Sequence, residues 1–526
     1  MANIRATKNG VWSDATVWSP NAPTSTDDVF ASGFTIYVDQ NIQVLSINTI
    51  GTTGIGGGGT FRPNNGVVMT TNVISGSSTC VTFASASPNA FTLVGSVTAG
   101  NATSIYGINN SSTGTVNIIG NVSNGTGGST FCIVNNSTGT VNITGYALGN
   151  RYATTGSGTG IYNVTSGVVN IYGGSFGGSL ASCTGSQNAS TGTITIYGTV
   201  SGYSGTNSYG AINSSSGIIR VFGNVYGGQG TSTPGLVNNS TGTVEVSGNV
   251  YGYDFSRADL NQPIGGSGSY GLRNVSTGII SVTGNVFSGN QRSDCWGIHN
   301  EVGGSVTVVG NTYGGNTTDA DGARNTSTGT ITISGNAIGG NGTTAYGARN
   351  VSTGILRVKR AIGNDWGLGY TTAVGAAPGV FSSAQGSQTF VEELQCGSRG
   401  QWPTAGNIYF TPNTKATAMF ETDTFQNYTL IESNSADNLQ PPVSSVRQGT
   451  TYNLGLSTGT CIIPSTSSVA LNILVDNLSG TAVLTPTNVW NISASQITDS
   501  QSLGGRLKNT LTANAAEKII NSLNFS

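Results

Sequence analysis

Acidic side chains are rare in this chain, so the places where they recur are informative. The chain has 526 residues, and 8% of them are charged. Counted against a recurring glycine described below, Asp294 and Asp319 hold the same place in consecutive repeats, ten residues before Gly304 and Gly329. If the repeats stack, these carboxylates come to lie about 5 Å apart. A retaining glycosidase separates its acid and its nucleophile by a similar distance. Charges so close would also raise one of the two pKa values. Asp294 and Asp319 are therefore the candidate catalytic pair, with Asp254 a further acid for the same chemistry. Asp321 and Glu301 lie nearby. The plainer reading is two solvated loop aspartates that point apart.

A second set is cationic. Five residues before the recurring glycine stand Arg273, His299, Arg324 and Arg349, in four successive repeats. Their parity relative to an aliphatic column points them outward. Such a strip fits bidentate arginine contacts to an acidic glycan, and it fits equally well pairing with acids across a subunit boundary. Aromatic residues recur eight before the glycine, as Tyr106, Phe131, Tyr209, Tyr270, Trp296 and Tyr346. They suit either sugar stacking or packing at a corner. The candidate ligand-binding residues are Arg273, His299, Arg324, Arg349, Trp296, Tyr270 and Tyr346. His299 is the one histidine in the chain, so no histidine-based metal cluster is expected, nor any cofactor.

The frame that must position these residues is a repeat. The glycine recurs as Gly114, Gly139, Gly167, Gly192, Gly217, Gly242, Gly278, Gly304, Gly329 and Gly354, at steps of 25, 28, 25, 25, 25, 36, 26, 25 and 25 residues. A fixed period of this length marks a solenoid. Two and four residues after each glycine stand aliphatic residues, Val116 and Ile118 in the first copy, with polar or variable residues between. That alternation predicts a short strand with one buried face. Four residues before each glycine is asparagine, as Asn110, Asn135, Asn163, Asn188, Asn213, Asn238, Asn274, Asn300, Asn325 and Asn350. An amide both donates and accepts, so stacked copies can form a hydrogen-bonded ladder. The expected fold is all-β: a parallel β-helix of ~25-residue coils, with an N-terminal cap and a small C-terminal β module ending in a short helix.

Composition narrows the function classes. The 80 glycines and the scarcity of charge depart from an ordinary globular domain. A net charge of −2 gives no electrostatic case for nucleic acid or for an anionic membrane. No apolar run approaches the ~18 residues that span a bilayer, and the first residues lack the apolar core of a secretory signal. The six cysteines are isolated and read as small buried thiols.

Four regions follow in order. Residues 1–40 form a cap or attachment segment, with Trp12 and Trp18 closing the open end of the solenoid. Residues 41–397 form the solenoid. Residues 398–445 form a small β module, where proline, phenylalanine and charge return. Residues 446–526 are a C-terminal module whose last helix places Ala516, Ile519, Ile520 and Leu523 on one face, with Thr512 as its cap.

The opening Gly10-Val11-Trp12-Ser13-Asp14, with Asp27-Asp28-Val29, resembles the first segment of many bacterial and phage β-helical surface proteins. The runs Val446-Arg447-Gln448-Gly449-Thr450-Thr451-Tyr452, Asp476-Asn477-Leu478-Ser479-Gly480-Thr481 and Ser502-Leu503-Gly504-Gly505-Arg506-Leu507 resemble a C-terminal module of tailed-bacteriophage virion proteins, over about 80 residues. The resemblance implies a right-handed β-helix in a phage particle and assigns no catalytic residue. The expected role is a structural virion protein, a tail fibre or tailspike adhesin that binds host surface polysaccharide. It would be a homotrimer attached to other tail or baseplate proteins. A polysaccharide depolymerase and a capsid-attached decoration fibre are the alternatives.

Overall fold

The structure, a computed structural model, describes residues 2–395 apart from 49–58, 76–80, 84–89, 100–104, 126–129, 150–157, 180, 204, 253–268, 290–293, 316–318, 341–343, 364–378 and 383–386. Beyond these it describes the strands Ile408–Lys415, Thr451–Tyr452, Ser457–Thr458, Leu474–Val475 and Leu478–Ser479. The chain divides into two compact units: Met1–Gly406 with Asn413–Asn427, and Asn407–Pro412 with Tyr428–Ser526.

The first unit is a parallel β-solenoid of about eleven turns. Most coils carry three strands, the first two running together in Ala90–Thr98, Thr330–Ile338 and Ile355–Ile362. One follows the recurring glycine, as in Thr140–Ile143 and Thr193–Ile196. A two-residue strand follows at the next corner, as in Ala147–Leu148 and Val200–Ser201. A third ends on the ladder asparagine, as in Ser186–Asn188 and Ala211–Asn213. Every strand pairs in parallel with its counterpart one coil on, so that Val141 faces Val169, Ala147 faces Ser175 and Asn163 faces Asn188.

The alternation read from the sequence sets the interior. Val141, Ile143, Val169, Ile171, Ile194 and Ile196 are fully buried, as are Val200, Val225 and Val250 from the corner strands and Ile133, Ile161 and Leu236 from the third face. Burying each such side chain is worth about 1.5–3 kcal/mol, and every coil contributes several. Glycine is required where one coil lies on the next. A Cβ on Gly192 would stand 2.3 Å from the Gly167 carbonyl oxygen and 2.4 Å from Asn163 Nδ2.

Steps longer than 25 residues all add length at one place, the turn between the two-residue strand and the asparagine strand. Residues 149–157 separate Ala147–Leu148 from Gly158–Asn163, and residues 252–271 separate Val250–Tyr251 from Leu272–Asn274.

At the N-terminus, Asn3–Ala6 pairs antiparallel with Trp18–Ser19 and parallel with Asp28–Phe30. Trp12 and Trp18 are buried edge to face at 4.8 Å, and Trp18 Nε1 donates to the Trp12 carbonyl at 3.0 Å. Parallel stacking starts within this region, because Asp28–Phe30 pairs with Ser46–Asn48, which in turn pairs with Val68–Ser75.

Of the second unit the described residues give two antiparallel pairs, Thr451–Tyr452 with Ser457–Thr458 and Leu474–Val475 with Leu478–Ser479. Among the described residues there is no α-helix, only the 3-10 turn Ala15–Val17. The expected boundaries near 397 and 445, the terminal helix and Asp254 lie outside the described residues.

Candidate functional site: an ion-paired cluster and two aromatic stacks

The asparagine file comes first because it fixes the register of everything outside it. All ten side chains are fully buried and in line. Nδ2 of Asn110, Asn135 and Asn163 donates to Oδ1 of the next asparagine at 2.9, 3.1 and 3.1 Å. A second run links Asn274, Asn300 and Asn325. From Asn135 onward, each Nδ2 also donates to the carbonyl of the glycine four residues later. The ladder is interrupted where Nδ2 of Asn188, Asn238 and Asn325 turns to the carbonyls of Ile218, Ile279 and Ile355, and between Asn213 and Asn238, whose Oδ1 has no partner.

Immediately before the file stand Arg273, His299, Arg324 and Arg349, in register on consecutive coils. They point away from the coil interior, yet acids of the same chain cover them. Arg273 forms a bidentate pair with Glu301, its Nη2 at 3.0 Å. His299 Nδ1 lies 2.8 Å from the same carboxylate, but its angle is outside hydrogen-bond geometry, and Nε2 meets Thr326 Oγ1 at 3.2 Å. One coil further, Asp319 bridges two cations, with Oδ2 3.0 Å from Arg324 Nη1 and Oδ1 2.7 Å from Arg349 Nη1. The two uses read from the sequence are joined by a third, intrachain pairing.

Asp321 sits beneath this bridge and is fully buried. Its Oδ1 accepts from the Tyr346 backbone N–H at 3.0 Å, while Oδ2 has no hydrogen-bond partner. The guanidinium groups lie 3.7 and 4.0 Å away, farther than they lie from Asp319. Burial therefore dominates and pushes the Asp321 carboxyl up to about 8, against the pull of Arg349 and Arg324. Glu301 goes the other way. Burial disfavours its charge, but contacts from His299 and Arg273 outweigh this and hold its pKa down at about 2. Burial lowers the pKa of His299, which leaves the ring neutral at pH 7.

The aromatic column packs into the same cluster. Arg324 lies over the Trp296 ring at 3.9 Å, Arg349 over Tyr346 at 5.2 Å and Arg273 over Tyr270 at 5.6 Å. Trp296 Nε1 donates to the Asp319 carbonyl at 2.8 Å, and the ring meets His299 edge on at 4.4 Å. Trp296 is 6% exposed, so its ring is spent on packing at the corner. The structure thus gathers Asp319, Arg273, His299, Arg324, Arg349, Trp296, Tyr270 and Tyr346 into one network. Asp294 is held in a left-handed conformation at φ 64°, and Asp319 is engaged by the two arginines. Among the described residues no three His, Cys, Asp or Glu side chains are grouped to hold a metal. Cys132, Cys183 and Cys295 are buried.

Two further aromatic files stand on the outer surface. Five residues after the glycine, Tyr172, Tyr197 and Phe222 stack at 4.9 and 5.0 Å with planes within 3° and 11°. They are 55, 47 and 50% exposed. Nine after the glycine, Tyr226, Tyr251, Phe287 and Tyr313 stack at 4.7, 4.9 and 4.6 Å. Asn224, Asn249 and Asn311 donate to the hydroxyls of Tyr226, Tyr251 and Tyr313, each at 3.2 Å. Both files were visible as columns of the repeat but lie beyond the positions that the alternation argument uses.

The fold and these side chains define a parallel β-solenoid with one ion-paired flank and two aromatic files. Comparison with family models, with curated proteins and with solved structures returns no match.

Proposed function

We propose that the protein is a structural virion component of a tailed bacteriophage, a tail fibre or tailspike adhesin that works as a homotrimer and binds host surface polysaccharide. The reading rests on one observation. Parallel pairing continues from Asp28–Phe30 to Gln388–Gln395 through a chain with only 8% charged residues. Such a scaffold is built of similar stacked rungs and has few charges, the properties of a shaft that carries contacts along its length. The resemblance of the C-terminal segment supports the particle. The outer aromatic files and the partly exposed Arg220 support a sugar ligand, because aromatic rings and guanidinium groups recognise hydroxyl-rich rings through apolar faces and donors.

The test incubates the purified chain with polysaccharide extracted from the host envelope. Retention, with light scattering giving three chains per particle and antibody labelling the tail of the phage, supports the adhesin. Release of new reducing ends in the same sample moves the assignment to a depolymerase. Labelling of the capsid without polysaccharide retention moves it to a decoration fibre.

A further inference from the structure

The Tyr172, Tyr197 and Phe222 stack stops abruptly. Backbone hydrogen bonds hold the column in line across the coils: Tyr197 N to Ile171 O, Phe222 N to Ile196 O and Ser247 N to Val221 O, each at 2.8 Å. The position after Phe222 is Ser247, exposed, and the one after that is Thr283, also exposed. A stack with a repeat near 5 Å therefore ends in a ring whose outer face looks over a serine, where the next ring would lie.

The polar groups beside that face distinguish it from the other end of the stack. Arg220 and Glu245 stand two residues before Phe222 and Ser247 on the same outward face. Arg220 Nε donates to Glu245 Oε2 at 2.7 Å, and the two side chains are 39 and 45% exposed. This bond uses the arginine's Nε and one carboxylate oxygen, and both side chains remain partly exposed. At the Tyr172 end the corresponding residues are Asn142 and Asn170. Their amides are occupied with each other and with Asn117, at 2.8 Å each.

We propose that the outer face of Phe222, with Ser247 as floor and the Arg220–Glu245 pair as wall, is a subsite for one pyranose ring of an oligosaccharide. The apolar face of the sugar replaces the missing fourth aromatic. Adjacent equatorial hydroxyls receive donors from the guanidinium and offer their own protons to the carboxylate. This assignment rests on the glycan-binding reading above and locates it on a face other than the ion-paired cluster.

The experiment compares the full-length protein with three variants in binding to host envelope polysaccharide, each checked by thermal unfolding and light scattering. Phe222→Ala removes the platform and is expected to weaken binding about tenfold. Phe222→Trp keeps it and retains binding. Ser247→Tyr continues the stack into the vacant place, leaves the fold intact and blocks binding. If the parent binds and neither Phe222→Ala nor Ser247→Tyr changes that, the subsite is overturned while the adhesin stands. If the parent binds nothing, both fall. If the variants alter the number of chains per particle and leave binding unchanged, the stack is a contact between copies and the subsite is likewise overturned.

Discussion

Asp321 is the residue with the most to say about conditions. Its neutral form is favoured in the folded chain, where the carboxyl titrates near 8 against an ordinary value of 3.8. The folded state therefore binds a proton that the unfolded state has released between those two values. The contribution to stability is full below about pH 4 and is lost as pH rises toward 8. Glu301 has the opposite sign. Its folded value near 2 lies below the ordinary 4.5, so its contribution is present above pH 4.5 and is lost as pH falls toward 2. Asp321→Asn is an uncharged isostere that keeps the acceptor for the Tyr346 N–H. It is expected to raise the unfolding midpoint at pH 8.5, to raise it much less at pH 5 and to change it little at pH 3.5. Equal shifts at all three values would mean that Asp321 is ionised in the folded chain. The partners of these acids were not legible in the sequence. Spacing put Asp319 one coil from Asp294, but a side chain chooses among all partners in reach, and Asp319 reaches Arg324 and Arg349.

At the level of the coil, the turn that leads into the long strand uses the asparagine, a hydroxyl residue and the glycine together in every copy but one, where Val302 stands before Gly304. In the first copies Ser112, Ser137 and Ser190 each accept from the glycine N–H two residues on, at 3.2 Å. The glycine has to remain bare, because the previous coil's carbonyl and amide already fill the place of a side chain. Gly192→Ala is expected to cost about 1–3 kcal/mol by overpacking, read as a lower denaturant midpoint with an unchanged slope. No loss would mean that the coils sit farther apart than the Gly167 and Asn163 contacts require. The period, the aliphatic columns and the asparagine file could all be read from residue identities, since each is forced by the same geometry in every copy. The interruptions of the ladder at Asn188, Asn213, Asn238 and Asn325 could not, because the amide that breaks the run is the same residue as the one that continues it. The outer aromatic files needed only the columns to be followed past the strand, into positions where burial does not demand a residue type.

For the solenoid as a whole, stability is a sum over rungs and the contacts between neighbouring rungs. Removing Thr193–Gly217, one complete coil, sets Ile218–Val221 on Val168–Ile171 and leaves Asn188 facing Asn238. The shortened chain is expected to keep its β-sheet circular dichroism and a single unfolding transition. Removing Thr193–Ile218, one residue more, turns Arg220 and Phe222 toward the interior and Ile219 toward solvent, and is expected to give insoluble protein. If both deletions behave alike, the coils are not interchangeable. The second unit offered no such leverage, since its segments lack a repeat that would bind residue type to position.

Every departure from the 25-residue step between these glycines falls in one turn, after Leu148, after Gly252 and, by a single residue, after Phe287, while the strands on either side keep their partners. That turn is where the lattice can take on new sequence without renegotiating its own order. Foreign peptides spliced into the same turn of successive coils would be rooted about 5 Å apart, like tines on a comb. A molecule of this kind can change what it displays, and how densely, while the part that folds stays the same.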